Sequence, residues 1–222
     1  MPTHLKPAND TEFGHYLAGL IDGDGHFSSK QQLVIVFNSL DASLAYYIKE
    51  RIGYGSIRKV KDKNAILLII TARKGLEKVI NLINGKIRTE NKFNQITKNI
   101  LNHVNYTEFS KTTSLKLNLD RNLENHWLAG FTDADGSFQI KLINHNNKTE
   151  VLLNFQIVAL RCAQKQNNIL NLIKDLLGGN IAYKKSRDRY LYDSSSFGSA
   201  RRVIKYFDKY HLLSSKHVDY LK

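Results

Sequence analysis

The strongest constraint on the fold of this chain is a nine-residue motif that occurs twice. Residues 17–25 read LAGLIDGDG and residues 128–136 read LAGFTDADG, so the copies lie 111 residues apart in a chain of 222 residues. A spacing of half the chain, with similar residues after each copy, indicates an internal duplication. The sequence therefore predicts two similar halves in one polypeptide.

Each copy of the motif is followed by the same order of predicted elements. Short apolar runs predict four strands in each half, and apolar residues at helical spacing predict one helix between the second and third strands and another after the fourth. The predicted strands cover residues 26–30, 33–37, 57–61 and 65–71 in the first half and 137–141, 152–158, 181–185 and 189–193 in the second, and the final helices cover 76–83 and 200–206. Each half therefore reads αββαββα.

This pattern predicts an α/β (α+β) fold with two pseudo-symmetric halves. Each half would pair its strands into an antiparallel sheet with helices on one face. The halves would be related by a pseudo-two-fold axis, as in a dimer fused into one chain. We predict an N-terminal half at residues 1–104, a linker at 105–122, where the sequence is polar and has no strong periodicity, and a C-terminal half at 123–222.

The composition limits the class of partner. The chain has 33 Lys and Arg against 20 Asp and Glu, a net charge of +13, and these basic residues are spread along its whole length. Such an excess favours an anionic partner, first nucleic acid and second a membrane surface. A single cysteine excludes an internal disulfide and fits a reducing compartment. No apolar run reaches the roughly 20 residues of a membrane span, and no basic amphipathic helix of the membrane-binding kind is found, so we expect no membrane partner.

The repeated motif has the properties of a helix that packs against its own copy. Gly19 and Gly23 are four residues apart and share one face, and Gly130 and Ala134 repeat that spacing. Small residues at this interval let two helix backbones approach closely. We therefore predict that the two motif helices cross face to face through these four residues.

Two aspartates would end these helices side by side. If glycine ends each helix, Asp24 and Asp135 lie in the last turn, at the negative end of the helix dipole, where a carboxylate costs about 0.3–1 kcal/mol. Packing the helices together adds repulsion between the carboxylates. A divalent cation would relieve both penalties, and Mg²⁺ prefers oxygen ligands with few carboxylates and substrate phosphate oxygens. The pair is therefore suited to metal-assisted hydrolysis of a phosphodiester. Asp22 and Asp133 lie two residues earlier, about 200° around the helix, so we expect them to be structural.

The motif pair resembles that of the LAGLIDADG homing endonuclease family in its single-chain, two-motif form. The first copy departs from the nine-letter consensus only at Gly23, and the second only at Phe131 and Thr132. The resemblance covers nearly the whole chain through the order of strands and helices. It implies that the paired motif helices form the interface between the halves and that each four-stranded sheet lies in the major groove of DNA.

The resemblance also implies an activity and a cofactor. Such enzymes cut both strands of a long, roughly palindromic DNA site and promote the mobility of the intron or intein that carries their gene, and a free-standing chain of this size favours an intron. By this resemblance Asp24 and Asp135 each bind divalent metal and direct hydrolysis of one strand, with Gly23 and Ala134 included in the metal site. Mg²⁺ is the expected ion, Mn²⁺ or Ca²⁺ could replace it in binding, and the protein would act as a monomer.

The family also places a basic residue near each scissile phosphate. Residues 83–92 and 207–216 align between the halves, and both segments end in lysine. Lys92 and Lys216 are therefore predicted as catalytic residues, although a lysine in so basic a protein is equally often ordinary surface.

For contacts with DNA we select strand and hairpin residues with long polar side chains, because arginine with guanine and glutamine with adenine are common groove pairings. The selected residues are Lys30, Gln32, Arg58, Lys59, Lys61, Arg73, Lys141, Gln156, Lys184, Lys185, Arg187 and Arg189. Tyr183, Tyr190 and Tyr192 could stack on bases, but we expect them to pack within strands, which favour tyrosine.

Two other functions stay open. An RNA maturase on the same fold would bind intron RNA and assist splicing without cutting DNA, and a non-catalytic module would only bind DNA. Retention of both Asp24 and Asp135 favours the nuclease. The high content of Asn, Ile and Lys, whose codons are AT-rich, suggests a mitochondrial or other organellar gene.

Overall fold

The computed structural model describes residues 5–145, 148–160 and 166–222, with side chains except those of residues 143–145, 148–150, 159–160, 166–168 and 187. This part of the chain forms two similar halves, each with one four-stranded sheet. No helix within these ranges is long and apolar enough to cross a membrane.

The N-terminal half begins with the first motif helix. Its elements are α1 (Asp10–Asp24), β1 (Gly25–Ser28), β2 (Gln32–Asn38), α2 (Ala42–Ile52), β3 (Ser56–Lys59), β4 (Ala65–Ile70), α3 (Arg73–Ile83), α4 (Glu90–Ile96) and α5 (Thr107–Thr112). Helix α1 starts where the side chain of Asn9 accepts a hydrogen bond from the backbone N–H of Glu12. It is buried on nearly all sides between sheet, α3 and the second half, which explains why its apolar residues do not keep to one face.

The C-terminal half repeats this order. Its elements are α6 (Trp127–Asp135), β5 (Gly136–His145), β6 (Lys148–Leu160), α7 (Gln166–Leu177), β7 (Asn180–Lys184), β8 (Arg189–Ser194), α8 (Phe197–Lys209) and α9 (Lys216–Leu221). Both sheets are antiparallel, with strand orders β1-β2-β4-β3 and β5-β6-β8-β7.

The hydrophobic core lies between the helices and one face of each sheet. Along β2 the buried residues are Leu33, Ile35 and Phe37, and the residues between them are partly or fully exposed. This alternation follows from the two-residue repeat of a strand. Each sheet therefore has an inner face against the helices and an outer face, and we use these two terms below.

The predicted αββαββα order is confirmed in both halves, with additions that the sequence patterns did not reveal. Each half carries a further helix after its third, α4 in the first half and α9 in the second, and a π-helix at Thr97–Leu101 continues α4. The predicted linker at 105–122 is not wholly irregular, because it contains α5. Its extended part packs on the first half, where the guanidinium of Arg88 donates to the backbone oxygens of Asp120 and Asn122.

The motif glycines end their helices for a different reason from the one predicted. Gly25 and Gly136 have extended backbone, with φ of −76° and −85°, rather than the left-handed cap conformation. Glycine fits there because an added Cβ at Gly25 would lie 2.7 Å from the Cα of Ile21. The left-handed cap is found instead at Gly53, which ends α2 with φ of 80°.

Candidate metal centre and DNA-binding surface

The motif helices α1 and α6 pack so closely that backbone contacts backbone. A Cβ atom added to Gly19 would lie 1.9 Å from the carbonyl oxygen of Trp127, and one added to Gly130 would lie 2.0 Å from that of Tyr16. Real Cβ atoms do not come this close to other atoms, so the crossing requires glycine on both helices. The two contacts are symmetric, as expected when one motif packs on its copy.

The same crossing continues to the last turn, where the aspartates lie. A Cβ added to Gly23 would lie 2.3 Å from the Cβ of Ala134 and 3.2 Å from Oδ2 of Asp135. The replacement of alanine by glycine in the first motif copy thus makes room for the second helix. It also places the carboxylate of Asp135 against the turn that carries Asp24.

The two carboxylates share an environment that penalises their negative charge. Both side chains reach solvent, yet partial loss of hydration raises the pKa of Asp24 and of Asp135. At Asp135 the charge of Asp24 adds to this effect, and the pKa rises to about 6 although Lys216 and Lys92 act to lower it. A pair of close carboxylates in this state gains from a bound cation.

Lys92 and Lys216 lie beside these aspartates, with their ammonium groups at the C-terminal ends of the motif helices. The Nζ atom of Lys216 donates to the backbone oxygens of Thr132, Asp133 and Ala134 at 3.1, 2.8 and 2.7 Å, and that of Lys92 donates to the backbone oxygen of Gly25. Cations at helix C-termini are favoured by the helix dipole.

The two lysines are not ordinary surface residues. Burial lowers the pKa of both lysines. Nearby carboxylates partly oppose that shift, first Asp22 at Lys92 and Asp133 at Lys216, and then Asp24 and Asp135 at both. The sequence comparison of the two halves therefore selected two lysines that lie beside the aspartate pair.

Asp22 and Asp133 point away from this centre and are buried in hydrogen bonds. Asp22 accepts from the backbone N–H groups of Arg88 and Thr89 at 2.8 and 3.1 Å and from Nε1 of Trp127 at 2.9 Å. Each carboxylate thus ties its motif helix to the other helix and to the segment that leads to a lysine. The structure is consistent with a structural role for Asp22.

The symmetric contacts of Asp133 show residues that the sequence analysis missed. Its carboxylate accepts from the hydroxyl of Tyr16 at 2.6 Å, from the backbone N–H of Leu213 at 2.8 Å and from the hydroxyl of Ser214. Ser214 lies two residues before Lys216. In the first half the hydroxyl of Thr89 donates to Asp22, and Thr89 lies three residues before Lys92. The recurring hydroxyl shortly before each lysine was the available signal in the sequence.

The residues at the helix junction fit a hard divalent cation. The two carboxylates and the helix-end carbonyls offer only oxygen, the donor type that Mg²⁺ and Ca²⁺ prefer. Of the predicted metal-site residues, Ala134 has its backbone oxygen already bonded to Lys216. Within the described residues no group of three or more His, Cys, Asp or Glu could hold a metal ion. Oxygen atoms of water or of a bound phosphate could complete the shell of a cation held by the two carboxylates.

Most of the predicted DNA-contact residues lie on the outer faces or in the turns beside them. Strand pairing places Gln32 and Arg58 on the outer face of the first sheet and Lys141, Gln156, Lys184 and Arg189 on that of the second. Lys30, Lys61 and Lys185 are exposed in connections between strands. Gln156 also donates to Asp193 on the neighbouring strand at 2.7 Å.

Three of the predicted contacts are placed differently. Lys59 follows Arg58 and pairs with the buried Ile66, so it lies on the inner side of the sheet edge. The assignment of Arg73 to a strand or hairpin is wrong, because it starts α3 and forms an ion pair with Glu77 at 2.8 Å. The side chain of Arg187 lies outside the described residues.

The strand tyrosines pack against other aromatic rings on the inner side of the second sheet, although Tyr183 stays 41% exposed at its edge. Tyr192 is fully buried, with its ring 6.0 Å from that of Phe155. The rings of Tyr183 and Tyr190 lie 5.1 Å apart, and strand alternation puts both on the inner side. Packing was the expected role of these residues.

Two repeated halves that meet at crossed motif helices, with paired aspartates and lysines at the crossing, define the two-motif LAGLIDADG architecture. The family model described as LAGLIDADG endonuclease matches residues 17–111 and 128–222, one match in each half. The chain therefore belongs to the LAGLIDADG endonuclease family.

Several similar proteins are named as products of introns. The chain is 65% identical to the uncharacterized cox1 intron-2 37.2 kDa protein of Schizosaccharomyces pombe, over 100% of this chain and 67% of the relative. It is 30% identical to the intron-encoded DNA endonuclease aI3 of Saccharomyces cerevisiae, over 96% and 62%, and 28% identical to the intron-encoded RNA maturase bI4 of that yeast, over 82% and 27%. The chain thus spans about two thirds or less of these relatives.

A solved structure shares the fold. The LAGLIDADG meganuclease I-AabMI bound to uncleaved DNA superposes with a TM-score of 0.71 at 22% identity, covering 94% of this chain and 88% of that one.

Proposed function

We propose that this chain is a site-specific homing endonuclease that hydrolyses both strands of a long, pseudo-palindromic DNA target with the help of divalent metal. The observation that carries the proposal is the crossing of α1 and α6, which brings Asp24, Asp135, Lys92 and Lys216 to one place between the two sheets. A purely DNA-binding protein has no need for two ionisable pairs at this position.

Each of these residues has a role that follows from its contacts. A divalent cation bound there would polarise the scissile phosphate and lower the pKa of a water molecule. Asp24 and Asp135 hold that site at a set spacing, because the glycine contacts leave the two helices little freedom to slide. The ammonium groups of Lys92 and Lys216 can stabilise charge that develops on a phosphate. Their lowered pKa favours proton exchange with a nearby water.

The outer faces supply the binding surface in this proposal. They flank the metal centre, since β1 and β5 start directly after Asp24 and Asp135. Exposed basic residues at their edges, such as Lys30, Arg58 and Lys185, suit contacts with phosphates. The net charge of +13 predicts binding that weakens steeply with salt.

The proposal is tested by cleavage of a genomic or randomised DNA library with Mg²⁺, followed by assay of the selected site in a supercoiled plasmid. We expect the wild-type chain to produce linear DNA by cutting both strands at one site. Asp24→Asn and Asp135→Asn should each abolish double-strand cutting and still bind the site in Ca²⁺. Nicked plasmid shows whether one strand is still cut.

The matched control is Asp175→Asn, which makes the same chemical change on α7. Asp175 is exposed and forms an ion pair across the surface with Arg121, at 2.8 Å, so cutting should be unchanged. If the wild-type chain binds DNA tightly but cuts with neither Mg²⁺ nor Mn²⁺, or if both aspartate variants cut normally, the endonuclease proposal is wrong.

Intron RNA maturation is the second candidate function. It is favoured by the 28% identity to an RNA maturase over 82% of this chain. A maturase would accelerate splicing of its intron RNA in vitro, and that activity should not depend on Asp24 or Asp135. The same aspartate variants therefore separate the two functions.

We also propose that the protein acts as a monomer, promotes the mobility of an intron and functions in an organelle. A single chain that carries both motif copies can act as a monomer on double-stranded DNA. The relatives named as intron products support a role in the mobility of an intron. The cox1 intron relative agrees with a mitochondrial or other organellar location.

A further inference from the structure

The outer faces of the two sheets differ in the row of residues that begins two positions after each motif aspartate. In the first sheet this row is His26, Val34, Ile69 and Ser56, in order across the four strands. In the second sheet the equivalent row is Ser137, Gln156, Asp193 and Asn180. The two central positions are thus apolar in the first half, and in the second they are a glutamine and an aspartate joined by a hydrogen bond of 2.7 Å.

The apolar surface of the first half extends into the row of Val36. The equivalent row of the second half, Val158, Leu191 and Ala182, is also apolar, so the contrast between the halves lies in the row of Val34 and Gln156. In the first half Val36, with 46% of its surface exposed, pairs with Leu67, and Leu67 pairs with Arg58 on the edge strand. Val34, Val36, Leu67 and Ile69 form what we call the N-terminal apolar patch, and all four stay at least partly exposed. Arg58 borders the patch. Lys30 is exposed in the turn between β1 and β2, and Lys61 is exposed in the turn between β3 and β4.

The basic residues around the N-terminal apolar patch favour DNA as its binding partner. The apolar side chains of the patch limit which bases can bind there. Val34 and Ile69 offer no hydrogen bond, so a G·C pair above them would lose water from its polar edge and gain no partner. Thymine is the base that presents a methyl group in the major groove, and apolar side chains contact it favourably. In the second half, the side chains of Gln156 and Asp193 offer donors and acceptors instead.

We propose that the N-terminal apolar patch reads thymine methyl groups in the half-site that it faces, whereas the first row of the second half reads its half-site by hydrogen bonds. The inference rests on the proposed function, because it assumes that the outer faces lie in the major groove of a DNA target. Beyond the proposed function, the N-terminal half would select thymine, the base with a methyl group in the major groove.

The test replaces thymine with deoxyuridine, which removes only the methyl group and keeps base pairing. The selected target is made with deoxyuridine near the cut in one half-site or in the other, and dissociation constants are measured in Ca²⁺. We expect about a four-fold loss of affinity for each buried methyl group removed from the half-site that the N-terminal apolar patch faces. Deoxyuridine in the other half-site should reduce affinity by less than two-fold. Because the change is in the DNA, protein folding does not affect the result.

The variant Val34→Gln links the sensitive half-site to the first sheet. It copies the residue of the equivalent position in the second half, at a site that is already partly exposed. We expect the deoxyuridine penalty to shrink in this variant, while the other half-site responds as in the wild-type chain. Its thermal unfolding is measured alongside to confirm that it is folded.

The outcomes separate this inference from the proposed function. If the wild-type chain cuts its site but tolerates deoxyuridine equally in both half-sites, or if neither half-site has thymine near the cut, only the inference is wrong. If folded Val34→Gln keeps the full penalty, the patch is not the reader of the methyl groups. If the chain binds no DNA site specifically, the proposed function and the inference are both wrong.

Discussion

Replacing Gly19 with alanine is expected to push the two motif helices apart. The added Cβ would lie 1.9 Å from the carbonyl oxygen of Trp127 and 2.8 Å from the backbone nitrogen of Phe131. Both are backbone atoms, so no side-chain rotation relieves the overlap, and the helices must separate by about 1 Å. Overpacking costs about 1–3 kcal/mol, and we expect the upper end here. In a protein of this size each kcal/mol lowers Tm by about 2–4 °C, which predicts a decrease of about 6–12 °C.

The same movement should disable the metal centre, since a shift of about 1 Å in a catalytic group can reduce the rate by about 10²-fold. Thermal unfolding followed by circular dichroism measures the first effect, and cleavage of the target in Mg²⁺ well below Tm measures the second. Gly198→Ala is the matched control: this glycine is also helical, nothing lies within 4 Å of its added Cβ, and alanine should raise stability by up to about 1 kcal/mol. A Gly19→Ala variant with wild-type Tm and activity would refute the close helix crossing.

Three further changes test the electrostatics of the site. Asp135→Asn should stabilise the metal-free protein above pH 6 by about 1 kcal/mol or less, after allowance for the exposure of the side chain. The reason is that the pKa of Asp135 is raised from 3.8 to about 6, so its stabilising contribution is full below pH 4 and is lost as the pH rises through 6. Urea unfolding with a chelator at pH 4 and pH 7.5 checks this, and an equal effect at both pH values would contradict it. Asp133→Ala should cost about 3 kcal/mol or more, because it leaves several buried donors without an acceptor. By the same urea assay, Asp175→Ala, which loses only a surface ion pair, should stay within about 1 kcal/mol of wild type. Lys216→Met keeps the aliphatic stem and removes the ammonium group, so cleavage should fall while binding in Ca²⁺ persists, and unchanged cleavage rates would exclude a catalytic role.

Features that depend on local sequence were predictable for this chain. The spacing of Gly19 with Gly23, and of Gly130 with Ala134, follows from the 3.6-residue turn of a helix, so it indicated which face could approach a second helix. Short apolar runs likewise predicted the strands, but the run at residues 33–37 is apolar throughout, so it did not show which side of β2 is buried. The duplication then placed two aspartates at equivalent helix ends.

Features that depend on contacts between distant segments were not predictable. The position of Arg73 on α3 depended on where β4 ended, and sequence patterns locate element ends poorly. The bonds from Lys216 to the end of α6 join residues about 80 positions apart. No spacing rule relates such positions.

The repeated motif was sufficient to establish the two halves, the family, and which acids lie at the helix ends, because these properties repeat along the chain with a fixed period. The raised pKa of Asp135, the hydrogen bonds that bury Asp22 and Asp133, and the contrast between Val34 and Gln156 at equivalent positions arise only when α1 and α6 cross and the strands pair. Charge interaction, burial and strand register depend on distances in space, and those distances are set by packing between segments that are far apart in sequence.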